Sequence, residues 1–166
     1  MIQPDRRHTD PNGKAESPLP PFSGSPRILA FCCHFCAYAA ADLAGSKRMQ
    51  YPAGVRIIHT PCTGNLEMEH ILEAFEKGAD GVLVVGCLEG GCHFVEGNLR
   101  ARRRIDRVRS MLAEIGLGGE RLQMVNISDS MAGAFVQHIE EIVETVRSLG
   151  PSPLRVSEQK ESAGGS

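Results

Sequence analysis

Short apolar runs alternate with longer amphipathic runs along the middle of this chain, and that order constrains the fold more than any other feature. Parallel strands are joined by right-handed crossovers, usually through a helix, so alternating strand and helix signals are typical of βαβ units. The sequence therefore predicts an α/β fold. We expect a small four-stranded parallel sheet with helices on both faces, of the flavodoxin-like or doubly wound type. The predicted strands are residues 27–33 (RILAFCC), 55–60 (VRIIHT), 81–86 (GVLVVG) and 122–127 (LQMVNI).

The amphipathic runs between and after these strands have helical spacing and clear stop signals. Gly78 and Gly116 follow two of the runs directly, as glycine does where a helix ends. Ser128 or Asp129 is a suitable N-cap for the last run, and Gly150 ends it. The predicted helices are residues 36–49, 66–77, 95–115 and 130–149.

The two ends of the chain differ from its middle in composition. Residues 1–25 and 151–166 are rich in Pro, Gly, Ser and charge, which favours disordered tails. A chain of 166 residues has room for one domain with a sizeable core. We therefore expect a single domain over residues 26–150.

The net charge and the hydropathy argue against several classes of function. The formal net charge of −2 argues against general binding to nucleic acid or to an acidic membrane surface. No stretch approaches the about 20 apolar residues of a membrane-spanning helix, and no apolar segment follows the pair Arg6-Arg7 as an export signal requires. The expected location is the cytoplasm, where clustered cysteines bind metal or catalyse more often than they form disulfides.

All six cysteines lie in three short clusters, each at the carboxyl end of a predicted strand. In doubly wound sheets, ligands bind outside the carboxyl ends of the strands near a topological switch point. The three clusters are therefore expected to meet at one edge of the sheet. They are Cys32, Cys33 and Cys36 in FCCHFC, Cys62 in PCTG, and Cys87 and Cys92 in GCLEGGC.

Such a set of thiols favours a metal site over the alternatives. Gly64 and Gly90 flank the thiols, where they let N–H groups approach sulfur. Zinc and an iron–sulfur cluster both fit four thiolates, and spacing alone does not choose between them. A thiol–disulfide pair of Cys33 and Cys36, or a single cysteine nucleophile, would leave the other thiols unexplained. Cys32 could instead face the core as a small apolar side chain.

The other motifs in the sequence say less about function than the cysteines do. Arg100, Arg103, Arg104 and Arg107 fall on one side of the third predicted helix, as a solvated face or as a docking patch for an acidic protein. No glycine-rich phosphate loop is present, and Asp42 has no second carboxylate beside it. We therefore expect neither nucleotide binding nor general acid–base catalysis by the chain itself.

The cysteine motifs also resemble those of a known family. CCxxC, CxG and GCxxGxCH occur in this order over about residues 26–150, as in the delta subunit of methyl-viologen-reducing hydrogenase, an iron–sulfur protein associated with heterodisulfide reductase complexes. The resemblance implies a 2Fe–2S electron-transfer subunit of anaerobic metabolism. Its implied partners are a hydrogenase, or formate or another dehydrogenase, and a heterodisulfide reductase A-like flavoprotein.

The resemblance further implies that four of the six cysteines are ligands. We favour Cys36, Cys62, Cys87 and Cys92, with Cys33 as the main rival to Cys36. His34 and His93 adjoin cysteines, and we expect them to hydrogen-bond to cluster sulfur or to a partner rather than to replace a thiolate.

Overall fold

The computed structural model describes residues 24–155, so most of the predicted tails at residues 1–25 and 151–166 lies outside this range. Within it, strands and helices alternate as predicted. A π-helical turn (His34–Tyr38) and two short 3-10 helices (Thr63–Asn65 and Gly119–Arg121) complete the described elements. The strands are β1 (Ile28–Cys33), β2 (Val55–Thr60), β3 (Gly81–Cys87) and β4 (Leu122–Ile127), and the helices are α1 (Ala39–Ser46), α2 (Met68–Glu76), α3 (Gly97–Glu114) and α4 (Ala132–Leu149).

The strands form one parallel sheet with the order β2-β1-β3-β4. In its register, Phe31 of β1 lies opposite Ile58 of β2 and Val84 of β3. Every residue of β3 is buried, as is typical of a central strand covered by helices on both faces. The predicted fold class is confirmed.

Two helices cover each face of the sheet. α1 and α4 pack against one face, where Leu83, Phe135 and Ile139 belong to the buried core. α2 and α3 cover the other face, where Phe75, Ile105 and the remaining apolar side chains of β3 are buried. Burying a large apolar side chain contributes roughly 1.5–3 kcal/mol, so these two layers supply most of the driving force for folding.

The order of the strands creates a switch point between β1 and β3. The chain leaves β1 through α1 toward β2, whereas it leaves β3 through α3 toward β4 on the other side. The two connections diverge at the carboxyl ends of β1 and β3, which is where the ligand-binding crevice of a doubly wound sheet lies.

All four helices begin two or three residues later than predicted. α2 starts at Met68 instead of residue 66, and the other three start late for a visible local reason. After β1 the chain first makes the wider π-helical turn His34–Tyr38, and α1 starts only at Ala39. Val95 has a left-handed φ of 62°, so α3 cannot include it and begins at Gly97. Before α4, the N–H of Met131 bonds to the carbonyl of Ser128 in a separate turn. The N-cap of α4 is therefore Met131, and the prediction of Ser128 or Asp129 as its N-cap was wrong.

The amino edge of the sheet is closed around one buried carboxylate. Asp80 accepts hydrogen bonds from the backbone N–H groups of Arg27 (2.9 Å) and Ser152 (2.8 Å). It also pairs with the guanidinium of Arg155 at 2.7 Å. Because of these contacts, packed structure continues to Arg155, beyond the domain boundary predicted at residue 150.

No helix within residues 24–155 is long and apolar enough to cross a membrane.

Candidate metal centre

Three thiols meet where β1 and β3 end. Cys33 closes β1 and Cys87 closes β3, and their sulfur atoms lie 3.2 Å apart. The π-helical turn after β1 brings Cys36 to the same place, so the sulfur atoms of all three lie within 4.8 Å of one another. Cys33 and Cys87 are buried and Cys36 is half-buried. This spacing can hold a metal ion.

Two further thiols join this group beside Gly97, the first residue of α3. A Cβ atom added at Gly97 would lie 2.4 Å from the Sγ of Cys62 and 3.4 Å from the Sγ of Cys92. Both sulfurs therefore pack against a bare Cα, and any side chain there would displace them. The Cys62 thiol interacts with that of Cys92, which in turn interacts with that of Cys87. The five-thiol group is thus Cys33, Cys36, Cys62, Cys87 and Cys92.

The protonation of these thiols depends on burial and on nearby N–H groups. Burial raises the pKa of Cys36, Cys62 and Cys87 above the usual value for a thiol. Burial alone would also raise the pKa of Cys92, but three backbone N–H groups at the start of α3 and in the loop before it lower that pKa below its usual value. N–H groups directed at sulfur stabilise the thiolate, which is the form that binds metal. A cation bound here would displace the remaining thiol protons.

Cys32 has a different position from its neighbour Cys33. Successive side chains of a strand point to opposite faces, and Cys32 is fully buried in the core beneath α1 and α4. Burial raises the pKa of its thiol to about 12. The alternative that Cys32 faces the core is the one that the structure shows.

Two residues predicted to surround the site touch sulfur through their backbones. The N–H of Gly64 donates to the Sγ of Cys62 at 3.3 Å. The backbone N–H of His93 donates to the thiol of Cys87. The ring of His93 stacks on Phe35, with ring centroids 3.7 Å apart.

The other two predicted residues have different surroundings. The ring of His34 is exposed, and its Nδ1 is hydrogen-bonded to the Nε2 of His59 at 2.8 Å. Gly90 adopts a left-handed φ of 77° in an exposed turn with open space around its Cα. Among the hydrogen bonds described for residues 24–155, neither residue contributes one to the five-thiol group.

Two asparagines that the sequence analysis did not single out hold the backbone of Cys87. The side-chain amide of Asn98 donates to the carbonyls of Cys87 (3.0 Å) and Leu88 (3.1 Å). Asn126 donates to the same carbonyl of Cys87 and accepts from Arg102. Asn126 could have been noticed in the sequence, because it is a polar residue in the otherwise apolar end of β4. Asn98 offered no comparable signal, because it lies among polar residues at the start of α3.

Arg104, predicted to lie in an arginine stripe, instead ties the Cys62 loop to α3. Its guanidinium donates to the carbonyls of Gly64 (2.7 Å) and Leu66 (3.2 Å) and pairs with Glu67 at 3.1 Å. Its side chain is only 29% exposed. Arg104 therefore helps to position Cys62.

Comparison with known families shows which family this chain belongs to. The sequence model of the family described as "Methyl-viologen-reducing hydrogenase, delta subunit" matches residues 28–150. The chain belongs to this family. The matched range contains the whole sheet and the five-thiol group.

Relatives of two kinds share this domain. The iron–sulfur D subunit of the vhu F420-non-reducing hydrogenase of Methanocaldococcus jannaschii is 48% identical over 130 residues, 78% of this chain and 97% of the relative. Its counterpart in Methanococcus maripaludis is 46% identical over the same shares. The A subunit of the Ferredoxin/F(420)H(2)-dependent CoB-CoM heterodisulfide reductase of Methanosarcina acetivorans is 42% identical over 129 residues, 78% of this chain but only 16% of that protein. All three belong to redox enzymes, which supports an electron-transfer role for this domain.

Proposed function

We propose that this chain is an electron-transfer subunit that carries one 2Fe–2S cluster in the five-thiol group. The observation that carries the proposal is the meeting of five thiols, from the ends of strands and from the segments that follow them, at the switch point of the sheet. The donor set fits the cluster, because thiolates are its usual ligands. The bare Cα of Gly97 and the N–H groups directed at sulfur favour the same use of the site.

Four of the five thiols can serve two iron atoms as two pairs. Cys62 and Cys92 form one pair beside Gly97. Cys87 belongs to the other pair, together with Cys36 or Cys33. We propose Cys36, Cys62, Cys87 and Cys92 as the four ligands, with Cys33 as the rival to Cys36.

The cluster, when bound, accepts and donates single electrons, and the chain sets the conditions for that exchange. The N–H groups of Gly64 and His93 donate to the sulfurs of Cys62 and Cys87, and such bonds stabilise the more negative, reduced state. Asn98 and Asn126 fix the carbonyl of Cys87 and so hold its thiol at the crevice. Burial of Cys33 and Cys87 keeps water from this side of the site.

We further propose that electrons pass between a hydrogenase, or formate or another dehydrogenase, and a flavoprotein of the heterodisulfide reductase A type in the cytoplasm. The relatives support this relay, because they belong to a hydrogenase in one case and to a heterodisulfide reductase in the other. In the Methanosarcina relative a matching domain is part of a longer chain. Fusion of the matching domain to the reductase subunit is one way to keep an electron-relay domain beside its acceptor.

The experiment is anaerobic purification followed by measurement of iron, acid-labile sulfide and zinc, and by EPR after dithionite reduction. We expect two irons and two sulfides per chain with a rhombic S = ½ signal, the signature of a reduced 2Fe–2S centre. Zinc without sulfide would replace the proposal with a zinc-stapled interaction module. A colourless protein that reduces insulin disulfides would instead indicate a thiol–disulfide enzyme of Cys33 and Cys36.

A further inference from the structure

The outer side of α3 carries arginines that have little acid beside them. Arg103 and Arg107 are exposed and have no ion-pair partner within residues 24–155, and Arg100 reaches only Glu96, 3.9 Å away. A helix turns 100° per residue, so these three arginines share one side of α3, opposite its buried stripe. The chain as a whole has a net charge of −2, so this positive charge is a local feature.

Exposed apolar side chains adjoin the arginines at the cysteine end of α3. Phe94 is 53% exposed, Val95 is 80% exposed and Leu99 is 38% exposed. Leu99 lies one helical turn before Arg103 on the same side of α3. Apolar groups grouped in this way on a surface mark contact sites more often than isolated ones do.

The backbone at Val95 is strained, in the turn where the side chains of Phe94 and Val95 are exposed. Val95 has φ of 62°, and the N–H of Glu96 bonds to the carbonyl of Phe94 at 2.7 Å, which closes a tight γ-turn. A β-branched residue rarely adopts that conformation, because its side chain crowds the backbone there. Since the side chain of Val95 lies in solvent, its own packing does not offset this strain.

The strained turn is next to the thiols. Cys92 belongs to the five-thiol group and is half-buried, and the N–H of Val95 bonds to its carbonyl at 2.9 Å. Phe94, Val95 and the arginines therefore border the side on which the five-thiol group approaches the surface.

We propose that the α3 face, composed of Phe94, Val95, Leu99, Arg100, Arg103 and Arg107, docks the acidic rim of a small one-electron carrier protein of the ferredoxin type. This inference rests on the proposed function. In the exchange, the reduced carrier loses one electron and the oxidised cluster gains it, with no bond made or broken.

An acidic protein fits this surface better than nucleic acid does. An apolar centre beside a rim of arginines matches the composition of protein interfaces, in which Arg and aromatic residues are enriched. Nucleic acid would use the arginines through phosphate contacts but would leave Phe94, Val95 and Leu99 without a role. Opposite charges around the contact would also steer the encounter of two redox proteins.

The test uses the full chain, purified anaerobically, and an acidic bacterial ferredoxin as the probe. Binding of oxidised ferredoxin is measured by calorimetry, and electron transfer from reduced ferredoxin is measured by stopped flow over a range of salt concentrations. The variant is Arg103→Glu combined with Arg107→Glu. The matched control is Arg56→Glu combined with Arg109→Glu, which makes the same change in net charge at two exposed arginines outside the α3 face.

We expect the Arg103→Glu/Arg107→Glu variant to lose at least about tenfold in association rate at low salt and to lose most of the salt dependence, while the control loses less than about threefold. Iron, sulfide and the EPR spectrum should be the same in all samples. Equal rates in variant and control would overturn the proposal. Equally tight binding of double-stranded DNA would also overturn it, because the face would then be a general polyanion site.

The binding measurement separates this proposal from the proposed function. Calorimetry with oxidised ferredoxin needs no electron flow, so a chain without a cluster could still bind through the α3 face. Normal iron and sulfide with no ferredoxin binding would reject the docking surface alone. Zinc in place of iron would reject the electron-transfer function alone.

Discussion

The two edges of the sheet use buried polar groups in opposite ways. At the amino edge, the carboxylate of Asp80 receives two N–H groups and the guanidinium of Arg155, and Arg121 donates to the carbonyls of Leu117 and Asp80. At the carboxyl edge, thiols face one another and have only weak hydrogen-bonding capacity between them. The carboxylate of Asp80 and the guanidinium of Arg121 are satisfied by the fold itself. The thiols of the carboxyl edge gain most when they bind a cation.

The largest expected effect is loss of the cluster when a thiol of the carboxyl edge is removed. Cys62→Ser and Cys87→Ser should each reduce bound iron and sulfide to less than about a tenth of the wild-type content, because each removes one of the four proposed ligands. Cys32→Ala is the control and should retain the cluster, since Cys32 lies in the core. Iron and sulfide assays with EPR measure the difference.

Cys33→Ser and Cys36→Ser, measured in the same way, decide which of these two cysteines is the ligand. The substitution at the ligand should remove the EPR signal of the cluster, whereas the other substitution should keep the signal and shift the reduction potential. Full cluster content in both Cys62→Ser and Cys87→Ser would contradict the assignment of the site.

The next largest effect is expected at the amino edge and should leave the cluster untouched. Asp80→Ala removes a fully buried carboxylate and leaves the groups that it satisfied without partners, which should lower the free energy of unfolding by about 3 kcal/mol. Urea denaturation of the holoprotein measures this loss. Asp106→Ala, at an exposed position of α3, is the control and should change the free energy of unfolding by less than about 0.5 kcal/mol. A changed EPR spectrum in Asp80→Ala would show that the two edges are coupled.

A smaller effect is expected from Asn98, whose side chain serves both stability and the site. Asn98→Ala should cost about 1–3 kcal/mol in the free energy of unfolding, because the carbonyl of Cys87 loses one of its two amide donors. It should also shift the reduction potential of the cluster, a readout that a purely structural role would leave unchanged. Arg109→Ala, exposed on the same helix, is the reference for both measurements. A loss of stability with an unaltered potential would restrict Asn98 to a structural role.

The smallest effect is expected far from both edges, on the exposed side of α4. His138 and Gln137 donate to the carboxylate of Glu141 and lower its pKa. A carboxyl with a lowered pKa in the folded state stabilises the fold above its unfolded pKa, and this contribution is lost as pH falls through the folded pKa. Glu141→Gln should therefore lower the free energy of unfolding by no more than about 0.5 kcal/mol at neutral pH, and by less in acid. A difference between the two proteins that grows in acid would contradict this sign.

The sequence predicted the strands better than the helix starts. The bounds of β2 and β4 agree with the prediction, and β3 extends only one residue further, to Cys87. Strand signals are local runs of apolar residues, so they can be read without knowledge of the fold. The start of α3 depends instead on the left-handed backbone at Val95, which no propensity of valine indicates.

That the cysteines meet at one edge of the sheet was also predictable from the sequence, but the contacts that position them were not. Parallel topology alone places Cys33, Cys62 and Cys87 at one edge of the sheet. The role of Arg104 depends on carbonyls in the Cys62 loop, nearly forty residues away in sequence. Contacts of that kind follow from packing, and spacing along a helix gives no sign of them.

The position of Asp80 has a consequence for how this domain can be joined to other proteins. Arg27 near the first described residue, and Ser152 and Arg155 near the last, bind the same carboxylate. Both ends of the folded unit therefore emerge together on the side away from the thiols. Additional polypeptide can be attached at either end without crossing the edge that holds the thiols. The Methanosarcina relative, in which the matching part is 16% of the protein, shows that such a domain occurs within a longer chain. The buried aspartate therefore places the points of attachment at one pole of the domain and the five-thiol group at the other.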